Sequence, residues 1–273
     1  MYRRIVSLAP SNTEILYELK ADDRLVAVTR YCDFPDDAKK KPRIGGWLDI
    51  NDELVKKNNP DLLLTSTFVQ NKITERYKKN KMNIVAVMPT TLKGVFDGIV
   101  KIGKLVNKEK EALELVNSMK NKFNKIQNKV KKAKYKPRVY IEEWHKPPTV
   151  SGNWVPTLVK MAGGDYSLIK AGVHSKEVTT KQIIKYDPEI IIISICGMND
   201  KAPKEWVTKR EGWQSLRAVK PTRIKDSRGT KNAKRFLVNN KVYVFDDSWL
   251  NRPGPRLTVG LENLAKVIHP ECF

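Results

Sequence analysis

Two stretches in opposite halves of this chain repeat one design, and that repetition restricts the fold more than any other feature. A short helix-forming segment stops at Asn59-Pro60-Asp61 and leads into Leu62-Leu63-Leu64-Thr65-Ser66. Far downstream, a segment capped by Thr179-Thr180 stops at Asp187-Pro188-Glu189 and leads into Ile190-Ile191-Ile192-Ile193-Ser194. Proline ends a helix because it lacks the N–H and its ring clashes with the preceding turn. A short, continuous apolar run bounded by such breaks reads as a strand buried on both faces, as in a parallel sheet covered by helices. Each copy therefore predicts helix, break, buried strand and Ser-containing loop, and two copies predict two similar α/β lobes.

The remaining patterns fill in those lobes. Ile5-Val6-Ser7-Leu8-Ala9-Pro10 reads as a first strand. Ser11-Asn12-Thr13-Glu14 has the spacing of a capping box, which predicts a helix over about residues 12–20. Leu25-Val26-Ala27-Val28 is a second strand, residues 33–42 a Pro- and Asp-rich loop, and Asn51 a cap for a helix through Lys57. Leu105, Leu113, Val116, Met119, Phe123, Ile126 and Val130 recur mostly at three- and four-residue steps, which predicts one long bridging helix over 105–135. After Pro137 a strand at Arg138 to Glu142 opens the second half. A helix near Val155 to Ala162 follows, with Pro156 in its first turn and Gly163-Gly164 at its end. The expected organisation is an N-terminal lobe over 1–104, the helix, and a C-terminal lobe over 136–273. The expected site is a cleft where strand-end loops face across the lobes.

Composition removes several classes. The 273 residues are 40% apolar, enough for a sizeable core, so intrinsic disorder is excluded. No apolar run approaches the roughly 20 residues that span a bilayer. Cys32, Cys196 and Cys272 are odd in number and share no ligand spacing, which argues against a disulfide framework or a structural zinc site. Met1-Tyr2-Arg3-Arg4 runs straight into the first strand with no separate apolar leader, so the expectation is a cytoplasmic protein. No P-loop, G-x-G-x-x-G or Ser/His/Asp order is present, and the expected function is non-enzymatic, with no obligatory cofactor. His145 and His174 have no histidine at i+3 or i+4 on which to build a metal site, so the surface or hydrogen-bonded reading outweighs axial ligation of a metal. Asp246-Asp247 follows the strand Val242 to Phe245 and fits a turn.

A set of motifs in fixed order then carries a resemblance. Ile5 through Leu16, Arg24 through Pro35, Pro42-Arg43-Ile44-Gly45-Gly46-Trp47, Pro60-Asp61-Leu62-Leu63, Pro147 through Gly152, Met161-Ala162-Gly163-Gly164, Gly212 through Val219 and Trp249 through Pro270 resemble the helical-backbone metal-receptor superfamily. These are the substrate-binding proteins of vitamin B12 and ferric-siderophore ABC importers, and the likeness leans toward the cobalamin-binding branch. It implies a class III periplasmic-binding-protein-like fold: two α/β lobes bridged by one long rigid helix, holding a corrinoid or other metal chelate. By position, Tyr31, Trp47, Trp249 and Arg252 are the implied ligand contacts. Glu53 matches one of the two glutamates with which such proteins dock on a permease. The second position holds Lys181, which reverses the charge and makes docking doubtful; Glu177 lies four residues earlier.

The chain also carries 52 Lys+Arg against 30 Asp+Glu, a formal charge of +22. Nine basic residues and no acid lie between Lys120 and Arg138, and nine more between Arg217 and Lys241, offset only by Asp226. Relative to the family, residues 221–238 read as an insertion carrying Arg223, Lys225, Arg228, Lys231, Lys234 and Arg235, expected to form a long cationic loop. A solvated surface is the ordinary reading of such runs. The alternative is a cytoplasmic nucleic-acid-associated protein that reuses the fold, its insertion tracking phosphates.

Overall fold

The computed structural model describes residues 1–220, 222–223, 237–238 and 241–273. The chain divides into two compact units, one formed by Met1–Lys125 with Arg252–Gly260, the other by Ile126–Asn251 with Leu261–Phe273. Each is built on its own sheet.

In unit 1 the elements are β1 (Ile5–Ser7), α1 (Pro10–Glu18), β2 (Leu25–Val28), α2 (Asp52–Lys57), β3 (Leu62–Thr65), α3 (Asn71–Lys79), β4 (Ile84–Ala86) and α4 (Leu92–Leu105). The four strands form a parallel sheet in the order β2-β1-β3-β4. Every residue of β1 and β3 is buried, as the uninterrupted apolar runs require. One cluster of the core joins Val6, Leu8, Ala27, Ile44, Val55, Leu63 and Tyr77. Asn51 caps α2 as expected, its side chain accepting from the Leu54 N–H at 3.0 Å.

The first helix differs from the capping-box expectation. It begins at Pro10, whose fixed φ suits a first helical position, and Ala9 is its cap with no side-chain bond. The Ser11 hydroxyl instead shares a hydrogen bond with Ser66 at 2.9 Å, and Glu14 is drawn into a distant ion-pair cluster. The long helix also starts later than its periodicity suggests. Asn107, at φ 52°, breaks the chain after α4, and α5 covers Glu109–Val130. Leu105 therefore belongs to α4. Gly103 allows the close turn, since a Cβ there would lie 2.5 Å from the Ala112 Cβ.

Unit 2 contains β5 (Val139–Trp144), β6 (Thr149–Val150), α6 (Val155–Met161), β7 (Lys176–Glu177), α7 (Thr180–Tyr186), β8 (Ile190–Ile193), α8 (Glu205–Thr208), β9 (Thr222–Arg223), β10 (Leu237–Val238) and β11 (Val242–Val244). Its main sheet has the order β11-β8-β5-β6-β7. The first three strands are parallel, and β6 and β7 add antiparallel. The run Ile190–Ile193 is the fully buried strand β8, which lies between β11 and β5. Thr179 and Gln182 form a capping box at α7, and Asp187 closes that helix in the left-handed conformation. The last helix, α9 (Leu257–Ile268), carries residues of both units. A two-stranded antiparallel pair, β9 with β10, lies inside the region read as an insertion.

Candidate functional site

In parallel α/β sheets ligands gather outside the carboxyl ends of the strands, where loops diverge. In unit 1 the loops leaving β2, β3 and β4 carry Tyr31, Phe34, Phe68, Val69 and Met88, all exposed although large and apolar. Tyr31 is 44% exposed and Phe68 53%. Tyr31 is one of the residues implied by the resemblance; Phe68 and Val69 had no sequence signal beyond following the buried strand β3, and Met88 had none.

Trp47, the second implied contact, sits half-buried in the loop before α2, and its indole N–H is buried with no hydrogen-bond partner. Three bonds from the fully buried Gln70 fix this loop to the sheet edge. Its amide donates to the Leu8 carbonyl at 2.8 Å and the Trp47 carbonyl at 3.1 Å, while its oxygen accepts from the Ser66 N–H at 3.1 Å. Gly45 turns the chain just before Trp47 at φ +114°, where a Cβ would fall 2.2 Å from the Asp49 carbonyl oxygen.

Arg252 lies in the segment of unit 1 that returns from the C-terminal region. Its guanidinium donates to Glu14 at 2.9 Å and to both oxygens of Asp33 at 2.6 and 3.2 Å, with a side chain only 11% exposed. Arg256 adds two bonds to Glu14, at 3.0 and 2.6 Å, and lies 4.3 Å over the Phe34 ring. Burial works to raise the Asp33 pKa, but the Arg252 hydrogen bond and charge outweigh it and hold the carboxyl below its ordinary value. Arg252 thus braces the loop that bears Tyr31 and Phe34.

Unit 2 has its own strand-end cluster. Glu142, fully buried near the end of β5, accepts a two-pronged contact from Arg210 at 2.5 and 2.7 Å and a third bond from the Tyr140 hydroxyl at 3.0 Å. Arg210 stacks 4.2 Å over Trp213 and donates to His145 Nδ1 at 2.7 Å. The His145 ring stacks on Trp206 at 4.2 Å. Beside it opens a depression of about 730 Å³ whose lining includes His145, Lys146, Trp206, Lys209 and Arg210. Arginine can only donate, so His145 Nδ1 must accept and the neutral ring carries its proton on Nε2. Burial and the Arg210 charge push the His145 pKa down, which favours that neutral form. With Nδ1 taken and Nε2 protonated, neither nitrogen offers a lone pair to a metal.

Trp249 is half-buried, edge-on to Phe245 at 5.7 Å. Asp246 caps the turn that holds Trp249 by accepting from the Ser248 N–H, and Asp247 accepts from the N–H groups of Gly197 and Asn199, so this pair serves loop structure. Glu53 is exposed in the first turn of α2, and Lys181 is exposed in the first turn of α7. Glu177 lies in β7, outside the helix. His174 Nδ1 is 3.1 Å from the Asn153 side-chain oxygen. Lys225, Arg228, Lys231, Lys234 and Arg235 lie outside the described residues, and only the backbone of Arg223 is described, in β9.

Two α/β lobes, each with helices about a largely parallel sheet and with α5 running from one unit into the other, define the class III binding-protein fold. The chain belongs to the periplasmic binding protein family, whose model matches residues 5–229. It is 30% identical to an ABC transporter substrate-binding lipoprotein of Bacillus subtilis, over 99% of this chain and 81% of that protein. It is 27% identical to a vitamin B12-binding protein of Vibrio campbellii, over 93% of this chain and 85% of the other. The crystal structure of a possible iron-binding, periplasmic solute-binding protein from Staphylococcus epidermidis matches with a TM-score of 0.76 and 30% identity, covering 98% of this chain and 99% of that one.

Proposed function

We propose that this protein is the substrate-binding component of an ABC importer and that its ligand is a metal chelate, a corrinoid foremost. The observation that carries the reading is the row of exposed Tyr31, Phe34, Phe68 and Met88 at the carboxyl edge of the unit 1 sheet, with Trp47 tied to the same edge through Gln70. Exposed large apolar side chains gathered at a strand edge are costly unless something covers them. A flat macrocycle edged with amides suits aromatic faces together with a few polar donors. The B12-binding relative supports the corrinoid choice, and the iron-binding one keeps ferric chelates as the competing ligand class.

Isothermal titration with cobalamin, cobinamide, haem and ferric siderophores tests this directly. Binding by cobalamin or cobinamide is expected. Failure of all of them at about 100 μM, which already probes affinities near −5.5 kcal/mol, overturns the ligand class. No observation favours the nucleic-acid reading.

The permease is the proposed partner, with Glu53 offered to a basic residue. Lys181 at the other docking position calls for an acidic counterpart or for no contact there. Lys181→Glu is expected to strengthen capture by a permease with arginines at both positions.

A further inference from the structure

The amino edge of the unit 2 sheet, opposite the edge that carries His145 and Trp206, gathers a second depression. It measures about 420 Å³, and its lining includes Gln127, Asn128, Lys131, Lys136 and Lys160 together with Val130 and Met161. Topology explains the gathering. Helix α5 ends at Val130, and the connection to β5 carries Lys131 and Lys136 to where that strand begins. Helix α6 returns so that Asp165, just past its end, bridges Arg138 at the start of β5, and Lys160 in its last turn reaches the same edge.

Lysines near helix C-termini have an ordinary use, since they offset the negative end of the helix dipole. The surroundings here ask for more. Lys129, on the same helix, shows what a satisfied neighbour does, lying 4.7 Å over the Phe273 ring. Among the described residues, Lys131, Lys136 and Lys160 have no ion-pair partner. Nearby carboxylates are already engaged: Glu189 accepts from the Tyr135 hydroxyl, which lies 2.7 and 2.8 Å from its two oxygens, and pairs with Arg138, and Glu271 contacts His269 Nδ1 at 2.9 Å. No carboxylate lines the depression.

Three lysines, a glutamine and an asparagine lining one hollow make a set rich in donors, with charge opposite to that of a phosphate and its several acceptor oxygens. We propose that this groove is a binding site for a phosphate-bearing ligand, separate from the chelate-binding face. The phosphate could belong to a soluble phosphoester or to a lipid headgroup, and the two sources are separable by experiment.

The test titrates the full chain with pyrophosphate and with glycerol phosphate at low salt, then with vesicles of phosphatidylglycerol in phosphatidylcholine. Three proteins are compared: the parent, the groove variant Lys131→Ser/Lys136→Ser/Lys160→Ser, and a control, Lys72→Ser/Lys78→Ser/Lys79→Ser, which removes the same charge from α3. Saturable binding is expected, weakened about tenfold or more in the groove variant and less than about twofold in the control, because charge-assisted bonds to an anion are local. Vesicle binding that the groove variant loses identifies a headgroup as the source, and binding confined to the soluble esters identifies a free ligand. Equal weakening in both variants means that net charge alone acts and overturns the site. So does the absence of saturable binding up to about 10 mM, beyond the range of useful affinity. Side-chain NMR of the unmodified protein gives the same answer without a variant, the expected result being pyrophosphate-induced shifts confined to these three lysines.

Discussion

Glu14 occupies a place that its sequence neighbourhood misdescribes. The Ser-x-x-Glu spacing suits a helix cap, yet the carboxylate is 2% exposed and accepts from two arginines that follow it by 238 and 242 residues. Removing one member of a buried ion cluster leaves the others charged and unpaired, at a cost of about 3–5 kcal/mol. Glu14→Ala is expected to destabilise by about that much in urea denaturation, with Glu14→Gln falling between it and the parent. Glu143 poses the opposite case. Burial pushes its carboxyl pKa up, and the Ser175 hydroxyl at 2.6 Å offsets only part of that. A carboxyl whose folded pKa lies above its unfolded value of about 4.3 stabilises fully below that pH and loses the contribution as pH rises through the folded value. Glu143→Gln is therefore expected to melt above the parent at pH 7, with the gap closing toward pH 4. Thermal denaturation across that range checks it.

At the scale of elements, the α4–α5 turn shows what periodicity leaves out. Apolar spacing runs smoothly through Leu105 because both helices bury the same kind of face, so the pattern carries no mark of the break. The signal is Gly103, which permits α5 to approach, together with Asn107 in the left-handed region. Gly103→Ala places a methyl 2.5 Å from the Ala112 Cβ, and an overpacking cost of about 1–3 kcal/mol is expected. Where the governing contacts are local, sequence was sufficient. Asn51 and Thr179 cap α2 and α7 as their side-chain chemistry dictates, and the two Pro-marked breaks precede β3 and β8. Thr179→Ala should cost about 1 kcal/mol in the same denaturation assay.

For the whole molecule, the ligand reading makes a separable claim about binding and stability. Tyr31→Ala and Trp47→Ala remove contact area that the proposed chelate would cover, so affinity in titration should fall at least about tenfold for the pair, in line with the loss of aromatic anchors. The melting temperature of Tyr31→Ala should hold, since Tyr31 is already 44% exposed. Compartment is read by fractionating native cells. The importer reading and the cytoplasmic expectation part here: recovery in the envelope with a processed N-terminus favours the first, and recovery in the soluble interior fraction favours the second. In either fraction the groove of Lys131, Lys136 and Lys160 is expected to keep its phosphate preference, because its donors belong to unit 2 alone.

What the sequence determined by itself was the set of local decisions: which runs become buried strands, where proline stops a helix, which residue caps the next one, and, through motifs in order, the family. These depend on neighbours within about one turn of helix or on a two-residue alternation, distances that a linear reading measures. Tertiary structure decided the partners. Gln70 joins Leu8, Ser66 and Trp47; Arg252, an implied ligand contact, braces Glu14 and Asp33; and Arg210 fixes the tautomer of His145 across 65 residues. The physical reason is that a side chain's charge, burial and free lone pairs are set by groups brought alongside when strands take their order in the sheet. That order is a property of the closed chain, and no segment of it carries the information alone.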